Sequence, residues 1–221
     1  MAPQPEVTPP DVTPPDVTAS GRIVLASASA ARAALLRAAG IYVAILPAAI
    51  DEAAVKQEAR HSGESAVGVA VILATEKACA VSRRDPGALV IGCDQVLACG
   101  LAAGAEWLDK PRDLDEARRQ LAGLRGRAHF LATAVCAAQA GIPVWRATSV
   151  PELTMRRFSE EFLDLYLAAE GEALLGSVGA YRLEARGVQL FSRISGDYFA
   201  ILGLPLIELL GFLRERGLLP G

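Results

Sequence analysis

The apolar run Leu89-Val90-Ile91-Gly92-Cys93, closed abruptly by Asp94, limits most strongly how this chain can fold. A continuous run of that length reads as a buried strand. Short apolar runs and Ala- and Leu-rich segments alternate around it. Ile23-Val24-Leu25 and the stretch 42–46 read as two further strands. Between them a helix is expected over 32–39, with Ser27-Ala28-Ser29 as turn and cap and Gly40 as its stop. The stretch 51–65 is polar, and a helix is expected over 66–81. Residues 100–109 read as a loop of Gly and small residues. Asp113, with Glu116 three residues later, opens a helix to Leu124. Strands over 128–137 and 144–157 are joined at Gly141-Ile142-Pro143. A helix over 159–169, a strand over 189–194 and a helix over 204–216 complete the reading. Early alternation followed by a hairpin implies an α/β or α+β domain around a mixed sheet.

The first twenty residues stand apart. Val7-Thr8-Pro9-Pro10-Asp11 is repeated at once as Val12-Thr13-Pro14-Pro15-Asp16. Proline removes backbone donors and blocks helix, and so polar a segment buries too little to offset its ordering entropy. Residues 1–20 are therefore expected to be a disordered, partly polyproline-II tail, and 21–221 the folded domain. Hydrophobic residues make up 52% of the chain but aromatics only 5%, so Ala, Leu and Val must fill the core. The net charge of -3 argues against a general nucleic-acid binder. The four cysteines form no C-x-x-C pair, and two histidines do not complete a structural zinc site. Buried thiols in a reducing compartment are expected instead. No apolar segment reaches the length of a membrane span. The start lacks a secretory pattern, so the expected location is the cytoplasm.

Three sets of residues can carry chemistry. Asp94 is expected at the end of the 89–93 strand, where ligands of open α/β sheets gather. A carboxylate there suits a hard cation, although a turn-forming or capping Asp would look the same. Asp51-Glu52 follows the second strand, and one or both can share such a cation with Asp94. Read alone, they are two solvated loop acids. The third set is cationic: Arg32, Lys77 and Lys110. Arg32 lies near a helix start, which offers free N–H groups to phosphate, and its planar fork matches phosphate oxygens. Lys110 precedes Pro111, which biases it toward extended backbone. Singly, each is a surface charge. A P-loop and a G-x-G-x-x-G turn are absent. Gly176-Ser177-Val178-Gly179 is not a hydrolase elbow.

Taken in order, the short motifs are more specific than any one of them. Leu25-Ala26-Ser27-Ala28-Ser29-Ala30-Ala31-Arg32 with Leu35-Leu36 resembles the opening signature of the Maf family of nucleoside triphosphate pyrophosphatases. Ile50-Asp51-Glu52, Glu76-Lys77-Ala78, Ile91-Gly92-Cys93-Asp94-Gln95 and Asp109-Lys110-Pro111 resemble its later motifs, as do Gly179-Ala180-Tyr181, Gly196-Asp197-Tyr198 and Gly203-Leu204-Pro205. The resemblance spans nearly everything from Arg22 onward. It implies an elongated mixed β-sheet flanked by helices, of the Maf and inosine-triphosphatase kind, with a deep nucleotide cleft. It implies hydrolysis of a nucleoside triphosphate to the monophosphate and pyrophosphate. Asp94 would be the catalytic acid-base and a metal ligand, and Glu52 a second ligand, for Mg²⁺ or Mn²⁺. Ser27, Arg32, Lys77 and Lys110 would grip the triphosphate, and a homodimer is implied.

Several positions depart from the family pattern. Ala30 and Ala31 replace Pro and the first Arg of a pair. Asp109 replaces Gly and adds negative charge to the phosphate loop, and the loop before it is long. Glu184 stands where Gln is common. Gln95 and Glu184 resemble the branch that prefers 7-methyl-GTP, whereas the branch preferring dTTP and UTP carries Arg at position 31. A carboxylate can accept from the N1–H and N2–H₂ edge of guanine and favours the charge that N7 methylation adds. Ala31, Gln95 and Glu184 are thus the expected specificity positions, although Ala31 cannot stack as the aromatic often found there does. A dTTP- or UTP-preferring enzyme, a weakly active nucleotide-binding regulator of cell division and a phosphohydrolase releasing orthophosphate are the competing readings.

Overall fold

The computed structural model describes residues 22–102 and 104–220, and the Pro-rich repeat lies outside them. β1 (Ile23–Leu25) leads through α1 (Ala30–Ala38) to β2 (Ala44–Ile45). Two helices, α2 (Glu52–His61) and α3 (Ala66–Arg84), precede β3 (Leu89–Ala98). Then come β4 (Trp107–Leu108), α4 (Leu114–Leu124), β5 (Ala128–Gln139), β6 (Ile142–Ser149) and β7 (Glu152–Met155). α5 (Glu160–Glu170) is followed by three short 3-10 turns, then β8 (Phe191–Ser195), α6 (Tyr198–Ile201) and α7 (Leu206–Glu215). The strands form one sheet in the order β2-β1-β3-β5-β7-β8, with β4 on β3 and β6 on β5. β1 runs parallel to both β2 and β3, and the remaining pairings are antiparallel. The sheet is mixed, as expected.

Local chemistry explains where the helices begin. Ser29, Asp51, Ser65, Asp113 and Ser159 each accept a backbone N–H of the first turn of α1, α2, α3, α4 and α5, satisfying a donor the helix leaves free. At Asp113 the reciprocal half of the capping box is redirected. Glu116 accepts from the Arg112 backbone N–H rather than from Asp113.

Several expectations need correction. The polar stretch 51–65 contains α2, which buries only Ala59 and so carries no apolar period to reveal it. β3 runs five residues past Cys93, so Asp94 lies inside the strand rather than at its end. The cause is β5, which pairs with β3 from Val90↔Ala138 to Ala98↔Phe130, whereas β1 stops at Ile91. The expected 144–157 strand is two strands. β6 and β7 pair with successive stretches of β5, and the chain breaks between them at Val150-Pro151, where proline has no N–H to give. The hairpin turn is Ala140-Gly141, both at positive φ, the signature of a tight two-residue connection. Ile142 and Pro143 already belong to β6.

The core lies on both faces of the sheet. Leu73, Ala74 and Ala78 of α3 cover Val96, Ala98, Ala132 and Ala134 on one face. Leu36 of α1 and Leu209, Phe212 and Leu213 of α7 cover Ile91, Cys93 and Val135 on the other. Further along, Leu121 of α4 and Leu163 of α5 meet Leu97, Leu131 and Leu153. Gly92 is what lets α3 lie so close. A Cβ there would stand 2.2 Å from the Ala74 carbonyl oxygen and 2.6 Å from the Ala78 nitrogen. Among the described residues no helix is long and apolar enough to cross a membrane.

Candidate active site

One edge of β3 is paired with β5 along most of its length. The other edge is shared by β1, which ends opposite Ile91, and β4, which begins opposite Leu97. The backbone from Gly92 to Val96 is left open between them. Three chain segments converge on this gap. β1 delivers Ser27 and, through α1, Arg32. β4 runs antiparallel to β3, so continuing past Leu108 carries Lys110 back toward Asp94. α3 crosses the face of β3 on which Gly92, Asp94 and Val96 alternate.

That crossing sets the central contact. Lys77 Nζ donates to Asp94 Oδ1 at 2.7 Å and lies 2.7 Å from Glu52 Oε1. Lys77 is 7% exposed and Asp94 5%, whereas the Glu52 side chain is 47% exposed. The other Asp94 oxygen, Oδ2, is buried without a hydrogen-bond partner. Burial works against ionisation of Glu52. The Lys77 hydrogen bond and charge, with Lys56 and Lys110 behind it, outweigh this and hold the carboxyl below its ordinary range. Asp51 is spent on capping α2, so Glu52 alone of that pair reaches the site.

Arg32 is tied to three segments at once. Its Nη1 donates to Ser27 Oγ at 3.0 Å and to the Cys93 carbonyl at 3.1 Å, and its Nε donates to the Gly203 carbonyl at 2.8 Å. It therefore joins the β1 exit, the open edge of β3 and the segment before α7. Lys110 makes no ion pair among the described residues. Desolvation and repulsion from Arg32 and Lys77 depress its ammonium below the ordinary lysine range, against the opposite pull of Glu52 and Asp94. The structure thus gathers Ser27, Arg32, Glu52, Lys77, Asp94 and Lys110 around one gap.

The expected specificity positions are more scattered. Gln95 Nε2 donates to Thr133 Oγ1 and the Ala200 carbonyl, both at 2.8 Å, so its amide group anchors α6. Glu184 is exposed, with Arg182 Nε 3.4 Å away. No hydrogen bond or ion pair links Gln95 to Glu184. Ala31 is half-buried at the start of α1. Asp109 does not confront the site with bare negative charge. It meets Lys56 Nζ at 2.6 Å and Arg60 Nη2 at 3.1 Å. Those two cations are absent from the sequence reading. The signal available was their spacing, four and eight residues after Glu52, which lines all three along one face once α2 is known to be a helix.

A family model described as Maf-like protein matches residues 22–216. The nucleoside triphosphate pyrophosphatase of Granulibacter bethesdensis is 57% identical over 162 residues, covering 73% of this chain and 80% of that protein. The protein of the same description from Paramagnetospirillum magneticum is 52% identical over 163 residues, 74% of this chain and 82% of its own. The 7-methyl-GTP pyrophosphatase of Brucella abortus is 46% identical over 160 residues, 72% of this chain and 78% of its own.

Proposed function

This chain belongs to the Maf-like protein family, and from that membership and the geometry around Asp94 we propose that it is a nucleoside triphosphate pyrophosphatase. The observation that carries the mechanism is the buried Asp94 Oδ2, which has no partner while Lys77 holds the other oxygen. A carboxylate fixed in this way is oriented to take a proton from a water on its free side. The water oxygen bonds to the α-phosphorus, and the bond from that phosphorus to the bridging oxygen breaks. The electron pair leaves with pyrophosphate, and the water's proton passes to Asp94. Arg32, Lys77 and Lys110 neutralise charge on the departing group. Lys110, without an ion-pair partner among the described residues, is free to turn to a phosphate.

We propose further that Asp94 and Glu52 hold a divalent cation, Mg²⁺ or Mn²⁺. Among the described residues no group of three or more His, Cys, Asp or Glu could hold a metal ion. Lys77 Nζ already meets one oxygen of each carboxylate at 2.7 Å, so a cation would be held through the oxygens that Lys77 does not take. Two carboxylates with the remainder from phosphate and water are a donor set that Mg²⁺ commonly accepts. Bound there, the ion supplies charge neutralisation at the phosphate and acidifies a nearby water.

For the base we propose 7-methylguanine. Glu184 and Gln95 support it through their resemblance to that branch, and the Brucella abortus relative carries the matching activity in its description. The test is a panel of 7-methyl-GTP, GTP, dTTP, UTP and modified pyrimidine triphosphates, with Mg²⁺ or Mn²⁺ and after chelation. Pyrophosphate and monophosphate are expected, fastest from 7-methyl-GTP and lost on chelation. Orthophosphate as the first product would overturn attack at the α-phosphorus, and faster dTTP or UTP turnover would overturn the base.

A further inference from the structure

α2 has little apolar surface to rest on. Of its ten residues only Ala59 is buried, and a helix this short has little stability of its own without packing. Val55 packs half-buried against the same cluster as Ala59, and charged contacts supply most of the remaining hold. Glu52 in its first turn reaches Lys77. One and two turns later, Lys56 and Arg60 converge on the two oxygens of Asp109 at 2.6 and 3.1 Å. The Arg60 guanidinium also lies over the Trp107 ring of β4, 5.3 Å from its centroid. From the far side, Gln120 of α4 donates to the Asp109 backbone carbonyl at 3.0 Å. One residue therefore joins α2, β4 and α4 immediately before Lys110. An isolated surface ion pair contributes little. Here two cations meet one carboxylate on a helix that rests on little more than Val55 and Ala59, and the Lys56 side chain is only 16% exposed.

We propose that Asp109 is a positioning residue, which clasps Lys56 and Arg60 and so holds Glu52 and Lys110 in fixed relation before the triphosphate arrives. The proposal rests on the pyrophosphatase reading above. Simple electrostatics points the other way. A carboxylate beside Lys110 repels a triphosphate, so removing it would tighten binding. The clasp offsets that charge with two cations and leaves order as its net effect. An ordered site binds more tightly because it loses less freedom when the ligand arrives.

The opposite signs make the test. In the full chain, Asp109→Asn is expected to raise KM for the triphosphate about fivefold while kcat stays within about twofold, because ordering then falls on the binding step. Asp109→Glu keeps the charge and is expected to restore KM to within about twofold. A KM that falls or stays level in Asp109→Asn overturns the proposal. Amide hydrogen exchange without nucleotide gives a readout independent of turnover. Residues 52–61 are expected to exchange about tenfold faster in Asp109→Asn than in the unaltered chain or Asp109→Glu. Equal exchange in all three overturns the clasp. If the unaltered chain releases no pyrophosphate from any triphosphate, the assigned activity is what fails, and exchange still decides whether the clasp exists.

Discussion

α3 brings Lys77 to Asp94 and α2 brings Glu52 to Lys77, and the two helices do so by different physics. α3 buries ten of its residues, Lys77 among them, and lies directly on Gly92 of the sheet. α2 buries one residue, rests Val55 against the same cluster, and is otherwise held by Glu52, Lys56 and Arg60. Half of the site is thus fixed by packing and half by charge. The packed half holds the group that must not move, the Asp94 carboxylate. In the charged half, Glu52 and Lys110 are exposed. A device built of ion pairs keeps its charged groups at the surface, and a packed core hides them.

The most severe way to break the packed half is Asp94→Asn. It keeps the shape and leaves Lys77 a second carboxylate in Glu52, so the fold is expected to survive by circular dichroism and thermal melting. Pyrophosphate release is expected to fall by about 10³-fold, the scale of losing a positioned general base. Near-normal release would sink the assignment of Asp94.

His129 sharpens what burial of an ionisable group requires. Lys77 is buried with two carboxylates at 2.7 Å. His129 is buried with only the Tyr181 hydroxyl, 2.9 Å from Nε2, and its Nδ1 has no partner. Burial accordingly pushes the imidazole down from 6.5 to about 4. As pH falls below about 6.5 the unfolded chain takes up a proton that the folded one refuses. Stability is therefore expected to drop by about 3 kcal/mol between pH 7.5 and 4, with the loss complete once both states are protonated. Urea titrations across that range measure it, and His129→Phe should flatten the profile. Equal slopes in the two proteins would show that His129 is not the group responsible.

Gly92→Ala tests the seat of α3. The added Cβ meets helix backbone, not a flexible side-chain end, so α3 must lift. An overpacking cost of about 2 kcal/mol is expected in denaturant melts. Turnover should fall further than stability alone explains, because Lys77 moves with the helix. An unchanged midpoint would mean that α3 does not rest on this residue.

The packed half was the more legible from sequence. The apolar run 89–93, the Ala-rich helix carrying Lys77 and the strand before Ser27 all follow from apolar patterning, and the structure contains each. Patterning failed where packing does not decide. α2 has no apolar stripe, so only Asp51 marked its start. β4 is two residues long, yet it is the element that turns Lys110 back toward Asp94. Cys93 closes the apolar run, so patterning puts Asp94 at a strand end. The strand continues because β5 pairs across from it, a long-range partner that the local run does not reveal. The role of Asp109 was invisible for the same reason, since its partners lie 53 and 49 residues away.

The mildest change probes the charged half. Glu52→Gln removes one of two carboxylates from Lys77 but leaves Asp94 in place. The side chain is 47% exposed, so the effect on stability is expected to stay within about 0.5 kcal/mol. Turnover is expected to fall only about tenfold, because Asp94, phosphate and water still hold the cation once one half-exposed carboxylate is neutralised. The informative quantity is where that loss appears. If Glu52 helps hold the cation, the Mg²⁺ or Mn²⁺ concentration for half-maximal activity rises, and excess metal recovers most of the rate. Asp94→Asn, which removes the proton acceptor as well, should not recover. Rescue of both variants, or of neither, would remove the distinction between a carboxylate that does chemistry and one that holds an ion beside it.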